Sequence, residues 1–242
     1  MMQPMTRRER MRRFNEKFIV EVREIPATQR TALYRWAIAL IAVGLACFLL
    51  VLVDVVPDHN SAIDAPFETW LAQSHSPTLT GIMIGLAIVF GPIVLPIVVL
   101  VVIVAWGFFA RHLWRPLLLA GGMLTGLIIV QIVTRVVGRE RPPVDQMLFG
   151  TDTTFSFPSG HVLGAADFLL ILTYLVFSRR GTPKTAALWY GIAAILVVIA
   201  SVSRIYLGYH WPTDALASVS LSLSILGTVI AVDTVRTTRV RT

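Results

Sequence analysis

Six long apolar runs restrict where this chain can fold. They lie near Leu33–Val56, Leu79–Phe109, Pro116–Val137, His161–Phe177, Thr185–Val202 and Thr213–Asp233. A helix needs about 20 apolar residues to cross a bilayer core, and each run is close to that length. Charged residues make up only 14% of the 242, against about a quarter in soluble domains. The expected fold class is therefore all-α: a polytopic membrane protein with six transmembrane helices in one bundle. Gly91-Pro92 and Pro96 interrupt the second run, which predicts a kink there. Gly122 and Gly126 in the third run have the spacing that lets helices pack closely.

Charge placement orients the bundle. Arg135, Arg139, Arg141 and Arg204 fall on one side of the six spans, and every other Lys and Arg falls on the opposite side. The positive-inside rule makes the richer side cytoplasmic. Both termini then lie in the cytoplasm of a cell whose inner (plasma) membrane holds the bundle. The chain divides into a basic segment (1–32), a six-helix domain (33–233) and a short basic tail (234–242). In the first segment Met11, Phe14, Phe18, Val22 and Ile25 recur at helical spacing among arginines. That pattern reads as an amphipathic helix on an anionic membrane surface, with a disordered topogenic tail as the plainer reading. A net charge of +7 suggests nucleic acid in isolation, but its position at the ends of apolar runs argues against such a partner. The one cysteine, Cys47, allows no intrachain disulfide and no cysteine-type zinc site. No cleavable signal is visible, so the first run reads as an uncleaved anchor. In the first outer loop, Ile63, Phe67, Trp70 and Leu71 suggest a short interfacial helix, either an aromatic anchor or a lid over a lipid head group.

Three polar clusters remain, all on the outer side. Thr134 to Pro143 ends the third span. Phe157-Pro158-Ser159-Gly160-His161 opens the fourth. Ser203 to Asp214 joins the fifth to the sixth. Pro158 and Ser159 are helix-start residues. The first N–H groups of a helix point outward unpaired, at the positive end of its dipole. Gly160 adds no side chain to block a ligand, so the stretch is a cradle for an anion such as phosphate. Alone, it also reads as an ordinary capped turn. Its neighbours decide for phosphoryl transfer. Arg141 and Arg204 have planar forks that match phosphate oxygens. His210 is a possible nucleophile, with Asp214 one helical turn on to fix its tautomer. His161 is a possible general acid for the leaving oxygen. The outer acidic residues lack metal-ligand spacing, so the reading needs no metal and no cofactor.

The order and spacing of these residues resemble the type 2 phosphatidic acid phosphatase superfamily of membrane lipid phosphatases. Its second motif, Pro-Ser-Gly-His, is complete at Pro158, Ser159, Gly160 and His161. Its third, Ser-Arg, five residues, His, is complete at Ser203, Arg204 and His210, followed by Asp214. The resemblance spans about residues 60–232. It implies a phosphohistidine intermediate on His210, acid help from His161, and phosphate held by Arg141, Ser159, Gly160 and Arg204. The first motif, Lys, six residues, Arg-Pro, departs from the pattern: Arg141-Pro142 is present, but Thr134 stands at the lysine position. The expectation is that Arg139 or Arg135 supplies the missing charge; an altered substrate range is the alternative. Asp167 lies six residues into the fourth span, where acids are expensive. It is expected to pair with Arg135 or Gln131, with a role in substrate range as the second reading.

The chain is thus expected to hydrolyse a phosphate monoester or pyrophosphate on a lipid or polyprenyl carrier at the extracytoplasmic face. Its partners would be that lipid phosphate and the membrane. Two rivals stay open: a lipid phosphotransferase or vanadate-binding relative, and a non-catalytic scaffold or transporter. Nothing in the sequence fixes the oligomeric state.

Overall fold

A computed structural model of the chain describes residues 7, 11, 18–66, 75–180 and 182–241. Seven helices of more than ten residues account for most of them: α1 (Ala27–Val55), α2 (Pro77–Val89), α3 (Val94–Phe109), α4 (Trp114–Val137), α5 (Gly160–Arg180), α6 (Pro183–Tyr206) and α7 (Pro212–Thr237). Five are long and apolar enough to cross a membrane alone. The second apolar run is broken as its prolines predict: α2 and α3 meet at Gly91-Pro92 with a bend of 47°. Counting that pair as one crossing gives six spans.

The helix boundaries follow local chemistry. Ser76 and Thr182 cap α2 and α6 by accepting from the N–H groups of Leu79 and Thr185, and a proline follows each cap. Gly138 closes α4 with φ +64°, a left-handed position that suits a residue without Cβ. The carboxylate of Asp214, in the first turn of α7, accepts from the Trp211 N–H just before that helix. Of these features, only Asp214 also belongs to the predicted site.

α5 and α7 form the buried centre, while α1, α4 and α6 expose most of their surface. α1 runs along α7. Gly44 and Gly227 make that approach possible: a Cβ on Gly227 would come within 2.6 Å of the Ala37 carbonyl, and one on Gly44 would strike Ser220 and Ser224. The Gly122/Gly126 pair of α4 seats against α5. A Cβ on Gly122 would meet Ile171 at 2.6 Å, and one on Gly126 would overlap the Asp167 carboxylate. Sidedness is preserved by these packings: the ends of α4 and α6 and the starts of α5 and α7 gather at one membrane face.

The opposite face holds one element that periodicity did not suggest. Arg23–Ile25 (β1) pairs in parallel with Thr238–Val240 (β2), with Arg23 opposite Thr238 and Ile25 opposite Val240. α7 therefore runs past the expected boundary at Asp233, and the segment before α1 is joined to the C-terminal tail. The proposed N-terminal amphipathic helix lies largely outside the described residues, as do Phe67, Trp70 and Leu71 of the proposed interfacial helix.

Candidate active site

The three polar clusters meet at the face where α5 and α7 begin. Ser159 is fully buried; its hydroxyl accepts from the Val162 N–H at 3.4 Å, and its carbonyl accepts from Ser218 Oγ of α7 at 3.0 Å. These contacts fix the start of α5 against α7. Gly160 is exposed beside it, so the first N–H groups of α5 open toward the space in front of the cluster. His161, partly buried, lies within the electrostatic reach of Arg204, His210 and Arg141.

His210 sits in the turn between α6 and α7 and is 4% exposed. Its Nε2 lies 3.0 Å from Arg141 NH1, and its Nδ1 lies 3.3 Å from Asp214 Oδ2. A guanidinium only donates, so Nε2 is the accepting lone pair and Nδ1 carries the proton toward Asp214. Burial, reinforced by the charges of Arg141 and Arg204, pushes His210 well below the ordinary histidine range. The ring is therefore neutral, with its Nε2 lone pair accepting from Arg141.

Arg141 is held from several sides. Nε donates to the Thr154 carbonyl at 3.0 Å, NH1 to the Tyr209 carbonyl at 2.7 Å, and NH2 to Thr154 Oγ1 and Asp152 Oδ2, each at 3.0 Å. Burial pushes the Asp152 carboxyl up, but hydrogen bonds from the Thr154 N–H and hydroxyl and the charge of Arg141 outweigh it and leave Asp152 below its ordinary value. Arg204 differs. Its guanidinium carbon lies 4.3 Å from the centre of the Tyr209 ring, and its buried Nε has no hydrogen-bond partner among the described residues. Two guanidiniums thus face one neutral histidine, and one of them has an unsatisfied donor.

The structure does not put Arg139 or Arg135 in the place expected of the missing lysine. Arg139 is 1% exposed and lies behind the histidine. NH1 donates to Asp214 Oδ1 and Thr213 Oγ1, NH2 to Asp64 Oδ2, all at 2.7 Å, and Nε to the His59 carbonyl at 3.0 Å. Each of its three nitrogens is thus already donating, to two carboxylates, a hydroxyl and a carbonyl. Arg135 is exposed and folds back onto its own helix, donating to the carbonyl and the side chain of Gln131 at 2.7 and 2.9 Å. The Thr134 carbonyl accepts from the Gly138 N–H at the end of α4. Asp167 is likewise not paired with Arg135 or Gln131: its Oδ1 is buried without a partner among the described residues.

Several contributors lie outside the three polar clusters. Asp64, in the loop after α1, accepts from Arg139 and from the N–H and hydroxyl of Thr213, yet lies 75 positions from Arg139 and 149 from Thr213. Asp152 and Thr154 form a local turn, the Asp152 carboxylate accepting from the Thr154 N–H at 3.0 Å; its Asp-x-Thr pattern was readable as a turn. Below His161 a cavity of about 430 Å³ extends between α3, α4 and α5, from Gly91 at the helix break to Met123 and Asp167. Its walls are largely apolar.

Comparison with known proteins gives this arrangement a family. The model of the PAP2 superfamily matches residues 115–237. Phosphatidylglycerophosphatase B of Bacillus subtilis is 30% identical over 186 residues, 75% of this chain and 89% of that protein. The chain belongs to the PAP2 superfamily. An undecaprenyl-diphosphatase of Sulfolobus acidocaldarius is 24% identical over 190 residues, 76% of this chain and 84% of its own. The fold is that of the crystal structure of a transmembrane PAP2-type phosphatidylglycerolphosphate phosphatase from Bacillus subtilis, with a TM-score of 0.71 at 24% identity over 82% of this chain and 96% of the other. This PAP2 protein is a multi-pass membrane lipid phosphatase.

Proposed function

We propose that His210 is the nucleophile of a phosphohistidine mechanism and that the substrate is a lipid phosphate whose tail occupies the cavity beneath His161. The observation that carries this reading is the hydrogen-bonding state of His210, neutral with Nδ1–H toward Asp214 and Nε2 toward Arg141. Arg141 covers Nε2. A phosphate group held by Arg141, Arg204 and the N–H groups of Gly160 and His161 draws the guanidinium onto its own oxygens and frees the lone pair. Nε2 then attacks phosphorus, the bond to the lipid oxygen breaks, and His161 protonates that oxygen. Asp214, ion-paired with Arg139, stabilises the charge the imidazole gains. In the second half His161 takes a proton from water, the water oxygen attacks the phosphohistidine, and inorganic phosphate leaves with Nε2 restored.

The substrate class follows from site and relatives together. An apolar cavity opening next to the cradle suits a chain that enters sideways from the bilayer. Phosphatidylglycerol phosphate is the first choice, because the relative named for it aligns over most of both chains; an undecaprenyl-type diphosphate is the second. The charge distribution supports an active site on the extracytoplasmic face of the plasma membrane, with both termini inside. The test is phosphate release from a panel of lipid phosphates by the full chain in detergent, with chelator present and His210→Ala as control. Radiolabelled phosphate trapped on the wild type by acid-sensitive linkage and absent from His210→Ala supports the mechanism. Turnover that survives His210→Ala, or that chelator abolishes, rules it out.

A further inference from the structure

The face opposite the active site holds a second, basic pocket. It lies where α3 ends and α4 begins, against the end of α5, and encloses about 500 Å³. Arg111, Arg115 and Arg179 line it, with Glu21 as the one acidic side chain among its described lining residues. Arg111 is exposed, but Arg115 and Arg179 are held in place. Arg179 is 6% exposed; NH1 donates to Glu21 Oε2 at 2.9 Å and NH2 to Asp233 Oδ1 at 3.1 Å, while its Nε is buried without a partner among the described residues. Arg115 is 13% exposed and reaches the same Glu21 oxygen at 3.3 Å. Asp233 is the second carboxylate beside Arg179, and its oxygens also accept from Trp114 Nε1 and Tyr174 OH. Among the described residues, three guanidiniums therefore stand against the two carboxylates of Glu21 and Asp233.

We propose that this pocket binds a phosphate group, presented as the head group of an anionic phospholipid or as free phosphate, through Arg111, Arg115 and Arg179. Three guanidinium forks around one volume match tetrahedral oxygens as carboxylates do, and the unpartnered Nε supplies a donor still to be satisfied. The rim fits a lipid. Phe109 lines the pocket and is 90% exposed, and Phe108 beside it is 86% exposed. An acyl chain lying on these rings leaves its phosphate at the level of the arginines, the arrangement of basic head-group pockets at helix ends. Free phosphate would use the arginines alone. This site is separate from the catalytic reading, since α5 and α7 present their opposite ends to the two pockets.

The experiment titrates the full chain in detergent with phosphatidylglycerol, with phosphatidylcholine of the same chains and with inorganic phosphate, reading bound lipid by native mass spectrometry and the shift in Tm. The double variant Arg111→Gln/Arg115→Gln keeps the buried Arg179–Asp233 pair and therefore folds. Expected is at least a tenfold loss of phosphatidylglycerol affinity in that variant. Arg204→Gln, which disarms the active-site cradle, keeps the wild-type affinity, so failure of this site and of the catalytic reading are told apart. If inorganic phosphate raises Tm with the same dependence on Arg111 and Arg115, the source is free phosphate; if only the lipid does, it is the head group. Equal binding of phosphatidylglycerol by wild type and double variant, or equal binding of phosphatidylcholine and phosphatidylglycerol by wild type, overturns the proposal.

Discussion

Arg139 and Arg135 are four positions apart and have opposite fates. Arg139 joins Asp64 of the loop after α1 to Asp214, which orients His210. Removing it leaves two buried carboxylates without a cation, and breaking such a pair costs about 3–5 kcal/mol. Arg139→Ala is expected to lose that much stability in denaturant unfolding. Its kcat should also fall about 100-fold, the scale of a misplaced reacting group, while KM changes little because the residue is not in the cradle. Arg135→Ala, exposed and bonded only to its own helical turn, should stay within about 0.5 kcal/mol and near wild-type activity. Full activity in Arg139→Ala would show that the histidine needs no such support. His210 makes a second prediction at this scale. The folded protein binds fewer protons at this ring than the unfolded chain, whose histidine titrates near 6.5. Its contribution to stability is thus complete above about 6.5 and falls as pH drops below that value. Unfolding curves of wild type and His210→Gln between neutral and acid pH should converge on the acid side if this holds, and run parallel if it does not.

At the scale of elements, close helix approach places the site. α4 must lie hard against α5 so that Arg141, just past the end of α4, reaches His210, just before the start of α7. Gly126 permits that approach where the Asp167 carboxylate fills the space a Cβ would occupy, whereas a Cβ on Gly121 of the same helix meets nothing within 4 Å. Gly126→Ala should therefore destabilise the protein by about 1–3 kcal/mol, the range for overpacking. Gly121→Ala should be neutral or slightly stabilising, since alanine is the better helix former. Thermal unfolding of the two variants in one detergent compares them directly, and equal Tm values would mean that α4 can shift without cost. The break at Gly91-Pro92 has a related role. A Cβ at Gly91 would lie 3.5 Å from His161 Nε2, so the interrupted span leaves room at His161 as well as a bend.

For the whole molecule the two faces are chemically distinct. One gathers His161, Arg141, Arg204 and His210; the other gathers Arg111, Arg115, Arg179 and the β1–β2 pair. If the active site faces outward, a cysteine at Thr151, exposed in the loop before α5, reacts with a membrane-impermeant thiol reagent on intact spheroplasts. A cysteine at Lys184, exposed at the start of α6, then reacts only after the membrane is opened. The background carries Cys47→Ser. The reverse labelling pattern would invert the orientation. The polar face legible in the sequence is the one whose residues are close along the chain: His210 and Asp214 share one turn, and Pro158 to His161 are contiguous. Arg141 and Arg204 were legible through spacing within motifs.

The sequence alone determined the bundle, the gathering of its polar clusters at one end, and its break. Hydrophobic length, lysine and arginine placement, and Gly-Pro punctuation act locally, and a bilayer leaves few alternatives to a run of apolar residues. It also supplied the histidines and two arginines of the proposed cradle. Tertiary structure decided which cations lie beside His210 and which pair with the acids behind it. Asp64 and Arg139 are brought together only by the packing of α1 along α7 and of α4 against α5, and no period or motif encodes a contact across that distance. The same holds for the pairing of Arg23–Ile25 with Thr238–Val240, and for Asp167, left without the partner expected for it. A guanidinium is a phosphate clamp or a structural counter-ion according to the charges that three-dimensional packing places around it.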